Sequence, residues 1–172
     1  MTNPNATLAV YDVSVVFNLV DASGAILDTA TETVSYIPAN STVPVAPLQI
    51  GFDNPTEPAG VKVDVAGAFS EDTGWAGVDF MTNQGIDLEV TGAKVAPGSF
   101  GSTDLSFTAT NPSDQVTESG LWSCVLKRGG AIVGGESSGI TDPIVPGSSV
   151  LVTSSVSVDG LTADEVICRA FA

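Results

Sequence analysis

The feature that most restricts this chain is that it repeats itself in order. Thr2-Asn3-Pro4 returns as Thr110-Asn111-Pro112, and Ser23-Gly24-Ala25-Ile26-Leu27 returns as Gly129-Gly130-Ala131-Ile132-Val133. Ile37-Pro38-Ala39-Asn40-Ser41 returns as Val145-Pro146-Gly147-Ser148, and residues 61–69 return as 165–172. The offset is 106–108 residues for the first three matches and about 104 for the fourth. Four matches in one order ask the same supersecondary unit to form twice, so the fold must be one that about half the chain can adopt.

Alternation and turn residues say what that unit is. Apolar and polar residues alternate with a period of two, as in a strand with one buried face. In the first copy this predicts strands over 8–20, 25–36, 42–51 and 60–69, and in the second over 119–127, 131–141, 148–157 and 164–172. Asp21-Ala22-Ser23-Gly24 and Lys127-Arg128-Gly129-Gly130 are hairpin turns in which glycine supplies the positive φ. Pro38-Ala39-Asn40 and Pro146-Gly147 are turns too. Pro44 and Pro47 fall inside the strand predicted over 42–51. Proline cannot donate to a ladder, which places that strand at an edge or a bulge.

The second copy holds more than the first. Ahead of Thr110-Asn111-Pro112 lie two further predicted strands, about 85–95 and 102–110, split by Pro97-Gly98. The first copy starts at Thr2-Asn3-Pro4 without them. The division is 1–83 for the first, incomplete copy with its linker and 84–172 for the second. A sandwich short of its opening strands exposes an unpaired edge, which proteins normally avoid. The missing strands are therefore expected from sequence upstream of Met1 or from another subunit. The linker, 70–84, carries Trp75 and Phe80 among small polar residues, and packing between the copies is expected of it.

Composition narrows the function. Twenty acidic residues against five basic ones leave a net charge of −15. The cations Lys62, Lys94, Lys127, Arg128 and Arg169 are too few to neutralise phosphates, so no nucleic acid partner is expected. No apolar run approaches a membrane span. The chain has no histidine. That removes the commonest general base and transition-metal ligand, and the chain is not expected to be an enzyme or to hold a cofactor. Its two cysteines, Cys124 and Cys168, stand 44 residues apart in apolar, strand-like segments. They read as one disulfide joining two strands, worth roughly 3–4 kcal/mol on a loop-entropy estimate. A disulfide implies an oxidising, extracellular location. Met1–Val10 has no basic or long apolar leader, so the chain reads as a mature or trimmed form, or as a virion component made without a signal.

Residues 17–21 read Phe-Asn-Leu-Val-Asp, preceded by Val13 and Val15 and followed by Gly24 and Ile37-Pro38. This resembles the FxLYD domain family. Phe17, Leu19 and Asp21 match the naming motif, and Val20 stands where Tyr is usual. In the second copy the stretch is Ser-Cys-Val-Leu-Lys, 123–127, with Phe and Asp lost. The resemblance implies small immunoglobulin-like β-sandwiches, often secreted or lipid-anchored on bacterial and archaeal envelopes. It supplies no catalytic residues.

Candidate chemistry is sparse. Glu71, Asp72 and Asp79 flank Trp75, and Asp53 and Glu57 lie in a turn-rich loop. Clustered oxygens suit calcium, yet no calcium-loop spacing is present and solvated acids are the plainer reading. Trp75 is open to a role as an exposed aromatic contact, and Trp122 is expected to pack beside the disulfide. The Gly129-Gly130 and Gly134-Gly135 pairs lack phosphate-loop spacing and read as turns. Asn5-Ala6-Thr7 and Asn40-Ser41-Thr42 fit the N-glycosylation sequon and also fit turns. The expectation is an all-β protein of two tandem immunoglobulin-like sandwiches, the first incomplete. It would be a non-enzymatic extracellular or cell-envelope module with a structural or binding role and a protein or cell-surface partner. A filament subunit polymerising by β-strand donation into the first copy is the alternative, and a virion surface protein the lesser one.

Overall fold

The computed structural model describes residues 1–47, 58–66, 75–77, 86–156 and 163–172. They form strands and a single 3-10 turn: β1 (Thr2–Asn3), β2 (Leu8–Val20), β3 (Ile26–Ile37), β4 (Ser41–Thr42), β5 (Gly60–Ala66), β6 (Trp75–Gly77), β7 (Asp87–Pro97), β8 (Thr103–Thr110), β9 (Gly120–Arg128), β10 (Ala131–Ile140), β11 (Ser149–Val156) and β12 (Glu165–Phe171). The protein is all-β and antiparallel in every pairing among these residues. No helix among them is long and apolar enough to cross a membrane. Two compact units are present, residues 1–43 with 47–83 and residues 44–46 with 84–172.

The second unit has the strand order β10-β9-β12-β7-β8-β11. β7 serves two partners: Leu88 and Asp87 pair with Ala170 and Phe171 of β12, and Glu89–Pro97 pair with β8. Within its pairing with β8, a register shift between Thr91 and Lys94, with Gly92 at φ +65°, marks a bulge in β7. Alternation then buries one face. β8 sends Leu105, Phe107 and Ala109 inward, β9 sends Trp122 and Cys124, and Leu88, Ile140, Ile144, Val152 and Ala170 complete the core. Trp122 is 3% exposed and meets Phe107 edge to face, with centroids 5.7 Å apart. Ala46 lies against Gly135, where a Cβ would stand 2.7 Å from the alanine methyl.

Cys124 and Cys168 form a disulfide with Cα atoms 4.1 Å apart. They are registered partners on neighbouring strands, β9 and β12. In an immunoglobulin domain the bridge crosses from one sheet to the other; here it staples two adjacent strands of one sheet. Trp122, two residues before Cys124 on β9, points into the same core.

The first unit has the order β3-β2-β5, with β6 beside the first residues of β2 and β1 paired to β4. β2 and β3 register from Val10↔Ile37 to Val20↔Ile26. Val13, Val15 and Leu19 of β2 are buried. On the other face Asn18 ties three strands together: Thr29 Oγ1 donates to its Oδ1 at 2.8 Å, and its Nδ2 donates to Asp64 Oδ2 at 3.3 Å.

The strand expected over 42–51 is corrected. Only Ser41–Thr42 pair as strand, and 43–47 run irregularly. Pro44 and Pro47 lack the N–H that a ladder needs. Residues 48–51 lie outside the described set.

Candidate functional site

The repeat carries a buried device in each copy. Asn3 is 3% exposed and its Nδ2 donates to the carbonyls of Leu8 (2.9 Å), Ile37 (3.3 Å) and Pro38 (2.9 Å). Asn111 is fully buried, and its Nδ2 donates to Gln115 O (2.7 Å) and Ile144 O (2.8 Å). Each Oδ1 accepts the backbone N–H two residues on, from Asn5 and Ser113. The neighbouring hydroxyl pairs match as well: Thr2–Thr42 at 2.9 Å and Thr110–Ser149 at 2.8 Å. The turn that each asparagine holds places a left-handed residue at the same point, Asn40 at φ +50° and Gly147 at φ +69°. The Thr-Asn-Pro motif is therefore a structural clamp. The sequence marked it as a repeat and held no signal of its partners.

Aligned through that clamp, the units differ in how their corresponding strands β5 and β12 are covered. β12 of the second unit lies on β9 as β5 of the first lies on β2. Val166, Cys168 and Ala170 pair with Leu126, Cys124 and Trp122; Val61, Val63 and Val65 pair with Leu19, Phe17 and Val15. Ala170 is fully buried, and Val166 and Cys168 pack against the core. The first-unit counterparts are exposed, Val61 at 52%, Val63 at 56% and Val65 at 47%. Every residue of β5 is exposed, on both faces. The edge of β12 away from β9 carries β7. The edge of β5 away from β2 carries no strand among the described residues.

The face of β5 opposite the valines bears Lys62 and Asp64. Lys62 Nζ reaches Gly24 O at 3.4 Å, and Asp64 accepts from Asn18. Other edges are built differently. On β3, Asp28 and Glu32 register with the inward-facing Leu19 and Val15. On β10, Glu136 registers with Cys124 and keeps a buried Oε2 without a hydrogen-bond partner among the described residues. Charges on the core side of an edge strand oppose addition of another strand. β11 carries no such charge, but it keeps its inward Val150, Val152, Ser154 and Val156 largely covered.

The remaining expected positions lie only partly among the described residues. Glu71, Asp72 and Asp79, and likewise Asp53 and Glu57, lie outside the described residues. Trp75 is placed by backbone alone, as the partner of Val10. Among the described residues no three His, Cys, Asp or Glu side chains converge as metal ligands do. Asp21 is a turn cap: its Oδ1 accepts from Ser23 N (2.8 Å), Ser23 Oγ (2.6 Å) and Ala25 N (2.9 Å). The Ser23 hydroxyl first, and then the backbone N–H groups, hold its carboxyl below the usual value. Asn5 Oδ1 likewise caps its own turn, accepting from Thr7 N and Leu8 N. An open groove in the second unit, about 500 Å³, is lined by Lys94, Asp104, Ser106, Thr153 and Ser155 among others. Lys94 and Asp104 are the charged residues of its lining.

No family model, no curated protein and no solved structure matches the chain.

Proposed function

We propose that this chain is a non-enzymatic extracellular or cell-envelope protein with a structural or binding role, and that it works by self-association at the open edge of its first unit. The observation that carries the reading is β5, exposed along all seven of its residues with three valines in a row on one face. An uncovered edge with apolar side chains is a template for strand addition, in which main-chain hydrogen bonds supply affinity and the alternate side chains supply selectivity. The disulfide is compatible with an oxidising compartment. The FxLYD resemblance fits the same reading. Phe17 and Leu19 lie on the face of β2 that meets Val63 and Val61, and Asp21 caps the hairpin.

Sedimentation velocity across a micromolar to millimolar range tests this. Concentration-dependent growth in mass is expected, and Val63→Lys is expected to suppress it. A monomer at every concentration overturns the reading.

A second reading, a filament built by strand donation, is favoured by the β1–β4 pair. Thr2–Asn3 against Ser41–Thr42 reproduces the place where β8 ends beside β11 in the second unit. Open, head-to-tail contacts of that kind give filaments, visible by negative-stain electron microscopy.

A further inference from the structure

We infer that the partner at this edge is the β5 strand of a second copy, paired antiparallel about a two-fold axis through Val63, so that the assembly closes as a dimer. This rests on the self-association reading and goes beyond it by naming the partner, the register and the symmetry. β5 reads Gly-Val-Lys-Val-Asp-Val-Ala from Gly60 to Ala66, an order complementary to its own reverse. Antiparallel pairing centred on residue 63 sets each residue opposite the one whose number sums with it to 126. Val63 meets Val63 of the other copy, and Val61 meets Val65. Lys62 meets Asp64, twice, once on each side of the axis.

Each registered pair lies on one face of the joined sheet. The valines therefore form a continuous row with Val15, Phe17 and Leu19 of both copies. The opposite face gains two salt-bridged cross-strand pairs. A strand that offers +1 and −1 at mirror positions is complementary to its own copy, and this closes the assembly with one isologous contact. The other edge of this sheet, β3, and the β10 edge of the second unit place acids on their core side and lack that pattern.

Seven residues form a small contact, below the size of stable interfaces, so the dimer is a weak one. Two copies, each carrying a net charge of −15, also repel. Raising salt from a few millimolar toward physiological strength is thus expected to strengthen association, since screening relieves the long-range repulsion more than it weakens two contact pairs.

Charge exchange and cross-linking test the register. Lys62→Asp sets acids opposite acids at both pairs, and Asp64→Lys sets cations opposite cations. Each is expected to weaken dimerisation about tenfold by sedimentation. The double variant Lys62→Asp/Asp64→Lys restores opposite charges and is expected to return within about twofold of the wild type. Val63→Cys should form a copy-to-copy disulfide in air, while Val61→Cys alone should not, because its partner is Val65. Circular dichroism shows that each variant is folded. Association that persists with no cross-link at 63, or that ignores the charge exchange, overturns this inference and leaves self-association standing. Filaments do the same. A monomer at every concentration overturns both.

Discussion

Replacing Asn111 is the sharpest test of the clamp. The side chain is fully buried and makes four hydrogen bonds: Nδ2 to Gln115 O and Ile144 O, and Oδ1 from Ser113 N and Ser113 Oγ. Both carbonyls keep a second donor when it is lost. Ser113 Oγ still reaches Gln115 O at 3.1 Å, and Thr117 N still reaches Ile144 O at 3.1 Å. Asn111→Ala therefore loses about 1 kcal/mol for each carbonyl bond rather than a full desolvation penalty, and a further ~1 kcal/mol for the void. The expected loss is about 2–4 kcal/mol. Asn111→Asp keeps the shape and both bonds from Ser113, but it turns a donor into an oxygen facing two carbonyls. Burial and those carbonyls disfavour the charged form, so the carboxyl's folded pKa lies above the unfolded value of about 3.9. Between the two values the folded state binds the proton that the unfolded state has released, and stability falls as pH rises. The Asp variant's deficit against the wild type is thus smallest below about pH 4 and grows as pH rises through the folded pKa. Urea unfolding, followed by Trp122 fluorescence in a Trp75→Phe background, measures both at pH 4 and pH 7. A deficit under about 1 kcal/mol for Asn111→Ala, or a pH-independent deficit for Asn111→Asp, refutes the clamp.

Removing the staple with Cys124→Ala/Cys168→Ala is expected to cost the second unit about 3–4 kcal/mol, from its 44-residue separation. The same urea titration checks it, and dithiothreitol on the wild type should reproduce it. Asp21 is expected to titrate below its ordinary 3.8, and Ser23→Ala to move it upward, because the Ser23 hydroxyl is the largest cause of the depression. Its folded pKa is depressed, so the turn's contribution is present above the unfolded value and is lost as pH falls through the folded one. Carboxyl chemical shifts read the titration, and the Ser23 and Ala25 amide signals read the loss of order.

Much of the architecture was legible because strands, hairpins and repeats are local. Alternation located β2, β3, β7, β8, β9, β10, β11 and β12 within one or two residues, since side-chain direction in a strand depends only on neighbours. Glycine at 24, 129 and 130 marked the hairpins, because each takes a positive φ. The strand over 42–51 was misread because alternation there competed with two prolines, and the missing donors won.

The candidate site was not legible. Val-Lys-Val-Asp-Val reads as a strand with one buried face, and nothing within it says that the face is open. That follows from which strands lie beside β5, a property of residues far apart in the chain. Asn3 shows the same limit: its acceptors Ile37 and Pro38 are 34 and 35 residues away, so its spacing in the sequence carries no trace of them. By itself the sequence determined a twice-repeated, acidic, all-β chain without histidine, because composition and period-two patterning are written residue by residue. The tertiary structure alone decided that the cysteines are cross-strand neighbours in one sheet, that Thr-Asn-Pro is a buried clamp, and that β5 stands exposed. Register, burial and edges arise only when distant strands pair.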